Sequence, residues 1–162
     1  MTVISTMSKN NDFSIEVLDE LASENQLASR SQAVGRIKVG GFMETFLMEL
    51  SFWSVNEYRR SWRRALTALE QAETTTSCLI SSITDPVHSN FISCWPMYRE
   101  VDAVYVQNSI IFLDELDEAF DPQEPWRYVQ PRCSVDEDGN RVSEWVTSMS
   151  RVRLFRESVQ NT

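Results

Sequence analysis

Apolar and polar positions change period several times along this chain. Residues 13 to 21 alternate in part and fit a short strand or a helical turn. Ser23 to Gln32 is polar and uninformative. Arg36 to Trp53 reads as strand, a Gly40-Gly41 interruption, then strand. Phe42, Phe46, Met48, Leu50 and Phe52 share one parity there, with Glu44 intruding. Ser54 and Glu57 have capping-box spacing. After them Val55, Tyr58, Trp62, Leu66 and Leu69 recur at helical spacing, an apolar stripe suited to burial against a sheet. Arg59, Arg60, Arg63 and Arg64 lie off the stripe and read as a solvated face. The polar stretch Glu73 to Ser77 is expected to end this helix.

Residues 78 to 83 read as a strand, and Asp85-Pro86 marks a turn. Phe91 to Tyr98 and Ala103 to Leu113 form the strongest strand pair, joined by a charged hairpin turn over 99 to 102. Phe91, Trp95 and Met97 share one face, interrupted by Ser93. Val104, Val106, Ile110 and Phe112 share parity, interrupted by Asn108. Tyr105, Ile111 and Leu113 make the opposite face apolar too, as in a central sheet region covered by a helix. Pro96 cannot donate to a ladder, which predicts a bulge or an edge. Residues 114 to 125 are acidic and turn-like, and Pro122, Pro125 and Pro131 limit regular structure. Asp136 to Asn140 reads as a hairpin turn with Gly139 free to take positive φ. Val142 to Thr147 returns as a strand with Trp145. Ser150 is the expected cap of a final helix with apolar Val152, Phe155 and Val159. The predicted fold is α+β: a mainly antiparallel β-sheet packed against one long amphipathic helix and a shorter C-terminal helix. Residues 1–12 are expected to be a flexible N-terminus and 13–162 one domain.

Length and composition narrow the function. A chain of 162 residues suits one compact domain, and 42% hydrophobic content argues against wholesale disorder. No apolar run reaches membrane-spanning length, and Met1 to Asp12 lacks the basic and apolar pattern of a signal peptide. Cys78, Cys94 and Cys133 lack metal-ligand spacing, and an odd count precludes a complete intrachain disulfide set. Cys78 and Cys94 read as small apolar groups of a reduced, cytoplasmic core. A single histidine, His88, leaves little material for a triad, and the glycines do not supply a phosphate-binding loop. No cofactor or metal is expected.

The formal charge of -9 disfavours a broad nucleic-acid surface. It is also localised. Residues 100 to 144 hold twelve acids against Arg127, Arg132 and Arg141, while the remainder carries twelve of each sign. One part of the chain therefore carries the whole imbalance. Such a lobe attracts a basic partner from a distance, although solubility alone would also explain it. Asp114 to Glu124 does not match a calcium loop, lacking the central glycine and the terminal ligand. Phe120, Trp126 and Tyr128 lie among the prolines nearby. They fit either interface anchors or ordinary core side chains. Nothing places two carboxylates around a cleft as a glycosidase requires.

The run from Gly35 to Val159 resembles the immunity proteins of bacterial contact-dependent growth inhibition systems. The stretches that carry the likeness are Leu50 to Trp53, Tyr58 to Leu66, Trp95 to Tyr98, Gln107 to Leu116, Trp126 to Arg132 and Asp136 to Trp145. The resemblance implies a cytoplasmic antidote that binds the toxic C-terminal domain of a large secreted effector, often a nuclease and in several cases a ribonuclease. It carries over no catalytic residue. A nuclease needs a positive groove, so a basic toxin domain agrees with the charge argument. The expected contact surface includes Asp114, Glu115, Asp117, Glu118, Asp121 and Glu124, with Trp126 or Tyr128 as an apolar anchor. Asp136, Glu137 and Asp138 form a second patch. No direct nucleic-acid or membrane partner is expected. A general acidic adaptor explains the same charge and aromatic pattern without a toxin. A carboxylate hydrolase, or RNA binding through Arg59 to Arg64, are the remaining alternatives.

Overall fold

A computed structural model describes residues 12–18 and 31–160. The expectation of a flexible N-terminus falls outside the described residues except at Asp12. Asp12 is tied down: its carbonyl accepts from Gly40 N–H at 2.7 Å, and its carboxylate accepts from the Thr147 hydroxyl at 2.6 Å.

Strand β1 (Phe13–Val17) resolves the first ambiguity, with Phe13, Ile15 and Val17 buried on one side. It pairs antiparallel with β2 (Gln32–Val39), which pairs with β3 (Phe42–Glu49). The hairpin between β2 and β3 turns at Gly40, whose φ of 61° is the left-handed conformation that glycine tolerates. The hairpin begins earlier than the sequence pattern indicated. It also ends earlier, at Glu49 rather than Trp53, so Leu50 and Phe52 lie outside the ladder.

Helix α1 (Val55–Ala68) starts at the expected capping box. Glu57 N–H donates to the Ser54 hydroxyl at 3.2 Å, and Ser54 N–H donates to the Glu57 carboxylate at 3.1 Å. Val55, Tyr58, Trp62, Leu66 and the following Leu69 are all buried. Arg60 and Arg63 are exposed and Arg59 and Arg64 half-buried, so that face is solvated only in part.

The second sheet holds β4 (Thr74–Ser82), β5 (Phe91–Glu100), β6 (Ala103–Gln107), β7 (Ser109–Phe112) and β8 (Glu144–Ser148). Its order is β4-β5-β6-β8, with β7 also pairing β5. The protein is therefore α+β with antiparallel sheets, but with two of them. Thr74 to Ser77, predicted to be a break, belongs to β4 instead. Ser77 is buried there, and its hydroxyl donates to the Ala65 carbonyl of α1 at 2.7 Å. A helix neighbour supplies the partner that makes a polar residue compatible with burial.

Pro96 forms neither a bulge nor an edge. It sits in central strand β5, opposite Cys78 in an unbroken stretch of the β4 ladder. Its effect falls on the other side. Cys94 pairs with Ser109 and Met97 with Val106, the same register on both sides of a gap at Asn108. Beta6 and β7 are one line of chain, and the pairing lapses opposite Trp95 and Pro96, the second of which has no N–H to give. The turn between β5 and β6 holds Val101 at φ 58°, unusual for a β-branched residue.

Helix α2 (Met149–Gln160) is capped by Ser148 rather than Ser150: the Ser148 hydroxyl accepts from Arg151 N–H at 3.2 Å. Val152 is buried and Phe155 packs edge-on against Phe13 at 5.6 Å.

Alternation separates the two faces of the five-stranded sheet. Trp95, Met97, Val104 and Val106 lie on the face turned toward the first sheet. Phe42 and Phe46 reach Trp95 at 6.3 and 6.1 Å, and Phe42 stacks on Trp145 at 3.7 Å. The opposite face carries Cys78, Ile80, Ile92, Cys94 and Tyr98. No helix covers it. The irregular segment 113–133 does, through a Tyr98 hydroxyl bond to the Gln130 carbonyl (2.7 Å) and a Gln107 amide bond to the Cys133 carbonyl (3.2 Å).

Candidate functional site

The covering segment is where the sequence placed the acidic surface. Its apolar residues do the covering. Leu113, Leu116, Phe120, Trp126, Tyr128 and Val129 pack against the core, and Pro125 is buried. Asp114, Glu115, Asp117, Glu118 and Glu124 are exposed, and Asp121 is half-buried. Apolar residues spaced through an irregular segment thus hold it down, and the carboxylates between them face water.

Local bonds set its shape. Leu113 N–H donates to the Asn90 carbonyl at 2.9 Å, which ties the turn Leu113–Glu115 to the start of β5. The Tyr128 hydroxyl accepts from Asp121 N–H at 2.8 Å and donates to the Ala119 carbonyl at 3.2 Å. Its ring lies 4.8 Å from that of Phe120. The Asp121 carboxylate accepts from Gln123 N–H at 2.9 Å. Tyr128 is thus a staple inside the segment, and Trp126 is half-buried against the core. The two aromatic residues that sequence offered as anchors are both engaged internally.

The six carboxylates are not equivalent. Arg127 pairs with Glu118 at 2.7 Å and sits 3.8 Å from Glu124. Asp114, Glu115 and Asp117 have no ion pair among the described residues, so their charge is fully presented to a partner.

The second patch has a different character. The Asp136 carboxylate accepts from Asp138 N–H and Asn140 N–H, both at 2.9 Å, and so closes its own turn. Gly139 takes φ 83° there, as expected. Glu137 and Asp138 are exposed. No hydrogen bond or ion pair among the described residues joins this patch to the first.

Glu144 belongs to the acidic lobe by sequence but is neutralised in the fold. Arg132 grips it bidentately at 2.8 and 2.7 Å, and the Gln107 amide adds a bond at 2.8 Å. The Arg132 hydrogen bond is the main reason the Glu144 carboxyl lies below the usual carboxylate range. The same guanidinium stacks 3.7 Å from the Tyr105 ring centre and lies 3.7 Å from Glu100.

No catalytic geometry emerges from the residues singled out for chemistry. Beside His88, Asp85 shapes the turn that its sequence predicted: its carboxylate accepts from Val87 N–H at 3.0 Å and its carbonyl from His88 N–H at 3.0 Å. Burial pushes the Cys78 thiol well up, as in an inert core cysteine. Cys94 is buried too and Cys133 exposed, and all three are free. Among the described residues, no group of His, Cys, Asp and Glu could hold a metal ion, and no helix is long and apolar enough to cross a membrane.

Sequence reasoning missed one surface. Phe91, Ile110 and Phe112 followed the parity of the core but are exposed. The only signal was the pair of polar interruptions, Ser93 and Asn108. They mark where the buried part of that face stops.

Comparison with known proteins gives a consistent picture. The CdiI N-terminal domain family matches residues 48–155, a span that runs from the end of β3 into α2 and includes the whole acidic segment. The chain is 32% identical over 143 residues to the immunity protein CdiI of Enterobacter cloacae subsp. cloacae, covering 88% of this chain and 94% of that protein. A chain in the solved CdiA-CT/CdiI toxin and immunity complex from Enterobacter cloacae superposes with a TM-score of 0.77. That likeness has 30% identity and covers 93% of this chain and 99% of the other.

Proposed function

Because this chain belongs to the CdiI family of immunity proteins, we propose that it is a noncatalytic inhibitor. It binds and neutralises the C-terminal toxin domain of its cognate contact-dependent growth inhibition effector. The toxin in this reading is a basic nuclease, with ribonuclease as the first class to test. The inhibitor acts in the cytoplasm, where three free thiols are chemically at home. Inhibition works by an acidic surface set over or beside the groove that would hold the phosphate backbone.

The observation that carries this reading is the state of the acidic segment. Three carboxylates, Asp114, Glu115 and Asp117, are exposed and without an ion pair among the described residues. They stand on a segment fixed from beneath by its own leucines and aromatics. A pre-shaped display of one sign of charge speeds encounter with the opposite sign and loses little to ordering on binding.

The test is co-purification of the chain with the toxin domain encoded beside it, followed by a nuclease assay with and without the chain. Stoichiometric binding and loss of nuclease activity are expected. Reversal of Asp117 and Glu118 to lysine should weaken binding at low salt with the fold retained. Unchanged affinity at low and physiological salt rejects the acidic contact. Binding without inhibition returns the acidic adaptor.

A further inference from the structure

One end of the five-stranded sheet carries apolar side chains that the fold leaves open. Phe91 and Phe112 are directly opposed across β5 and β7, as are Ser93 and Ile110. Alternation sets Phe91, Ile110 and Phe112 on the same face as Trp95 and Met97. Trp95 and Met97 are 1% and 0% exposed, whereas Phe91, Ile110 and Phe112 are 51%, 45% and 49% exposed. Among the described residues, the covering layer therefore stops partway along the face. Single exposed apolar residues are ordinary, but three large ones in adjacent register positions form a contiguous patch, and such patches mark interaction surfaces.

The patch borders the free acids. Asp114 and Glu115 follow Phe112 within the turn that Leu113 ties to Asn90. An apolar centre with a charged rim is the usual anatomy of a protein interface. The sign of the rim selects the occupant. A second copy docked face to face would bring carboxylates against carboxylates, so self-pairing is opposed. A basic protein domain is matched in both parts.

We infer that Phe91, Ile110 and Phe112 are the apolar centre of the surface that meets the basic toxin domain, with Asp114, Glu115 and Asp117 as its acidic rim. The inference rests on the toxin-binding function proposed above. It supplies the anchor that Trp126 and Tyr128 do not, since Trp126 packs against the core and Tyr128 is bonded inside its own segment. The apolar centre governs how long the complex lasts, and the rim governs how fast it forms.

The experiment titrates the full chain against the catalytically inactivated toxin domain encoded beside it. The double variant Ile110→Ser/Phe112→Ser is compared with wild type and with Val146→Ser, an exposed apolar position on the opposite face of the sheet. The double variant should lose affinity by about tenfold or more, mainly through faster dissociation, and the loss should persist in high salt. Val146→Ser should bind as wild type does. A change below about twofold in a folded double variant overturns the assignment. Should the double variant not fold, amide exchange of residues 109–112 in the wild-type chain decides: slowing on toxin addition supports the assignment, and unchanged exchange overturns it. A wild-type dimer that the double variant dissolves without loss of toxin affinity also overturns it, by making the patch a self-interface. Failure of wild type to bind the toxin at all is a different result, and defeats the immunity function itself.

Discussion

Replacing Arg127 by glutamine should accelerate toxin binding, although it removes an ion pair. Arg127 is the one base among six carboxylates between Asp114 and Arg127, so that stretch carries a net charge of -5 and the variant -6. The arginine is spent on Glu118 at 2.7 Å and Glu124 at 3.8 Å. All three side chains are well exposed, at 42%, 56% and 50%. Such pairs contribute about 0 to 1 kcal/mol to stability, so the fold survives their loss. The loop keeps its shape because Tyr128 holds Asp121 and Ala119 by its hydroxyl. For the encounter, one extra negative charge seen from about 10 Å through water is worth about 0.4 kcal/mol per basic group. That is about twofold in rate, so two or three basic groups give about four- to eightfold at low salt. At physiological salt a Debye length of about 8 Å should cut the gain to about twofold or less. Glu118→Gln should move the rate the opposite way. Stopped-flow association with the toxin domain at low and physiological salt measures both variants. An unchanged or slower Arg127→Gln rate at low salt would refute the acidic-rim account.

Two further expectations concern the scaffold. Tyr58 joins the sheets: its hydroxyl donates to the Glu49 carbonyl at 2.7 Å and accepts from Ile83 N–H at 2.9 Å, and burial pushes its pKa up to about 12. Tyr58→Phe leaves the buried Ile83 N–H without that partner and should cost about 2 to 3 kcal/mol in urea unfolding; a cost below about 0.5 kcal/mol would show that water or a shifted backbone replaces the hydroxyl. For Glu70 and Glu144, bonds from Arg153 and Arg132 depress the folded-state pKa, so their stabilisation is complete above about pH 5 and fades as pH falls through the depressed values. Thermal unfolding between about pH 3 and 7 should therefore show a shallower acid decline for Glu144→Gln than for wild type, and parallel curves would remove Glu144 from that role.

The helices and turns were legible because their signals are local. Ser54 and Glu57 cap α1 through bonds that span three residues, and Gly139 turns a hairpin closed by Asp136 itself. What failed was governed by partners distant in sequence. Ser77 reads as part of a polar stretch outside the strand until Ala65 offers its carbonyl from across the packed layer. Pro96 reads as an edge until one sees that only one of its two ladders needs its N–H. Two sheets rather than one could not be read at all. The register that separates them rests on contacts such as Phe42 with Trp145, more than a hundred positions apart in the sequence.

The site divides along the same line. Charge density is a property of composition, so the acidic character of Asp114 to Glu124 was visible without coordinates. Which carboxylates stay available depends on where Arg127 and Arg132 reach, and that is tertiary. The aromatics expose the limit most sharply. Trp126 and Tyr128 sit among prolines and acids and fit either display or core residues, and the rear face of the sheet decides by recruiting them as its cover. Phe91, Ile110 and Phe112 alternate as strand residues and so look like core, yet the layer above them ends before it reaches them. A half-covered sheet decides the first reading and inverts the second. The apolar side chains of an irregular loop are drawn inward, and those at the uncovered end of a regular strand are left for a partner. In an inhibitor this arrangement has a physical merit. An anchor on paired β-strands is already ordered, so less of the binding energy is lost to fixing it than if it stood on the loop.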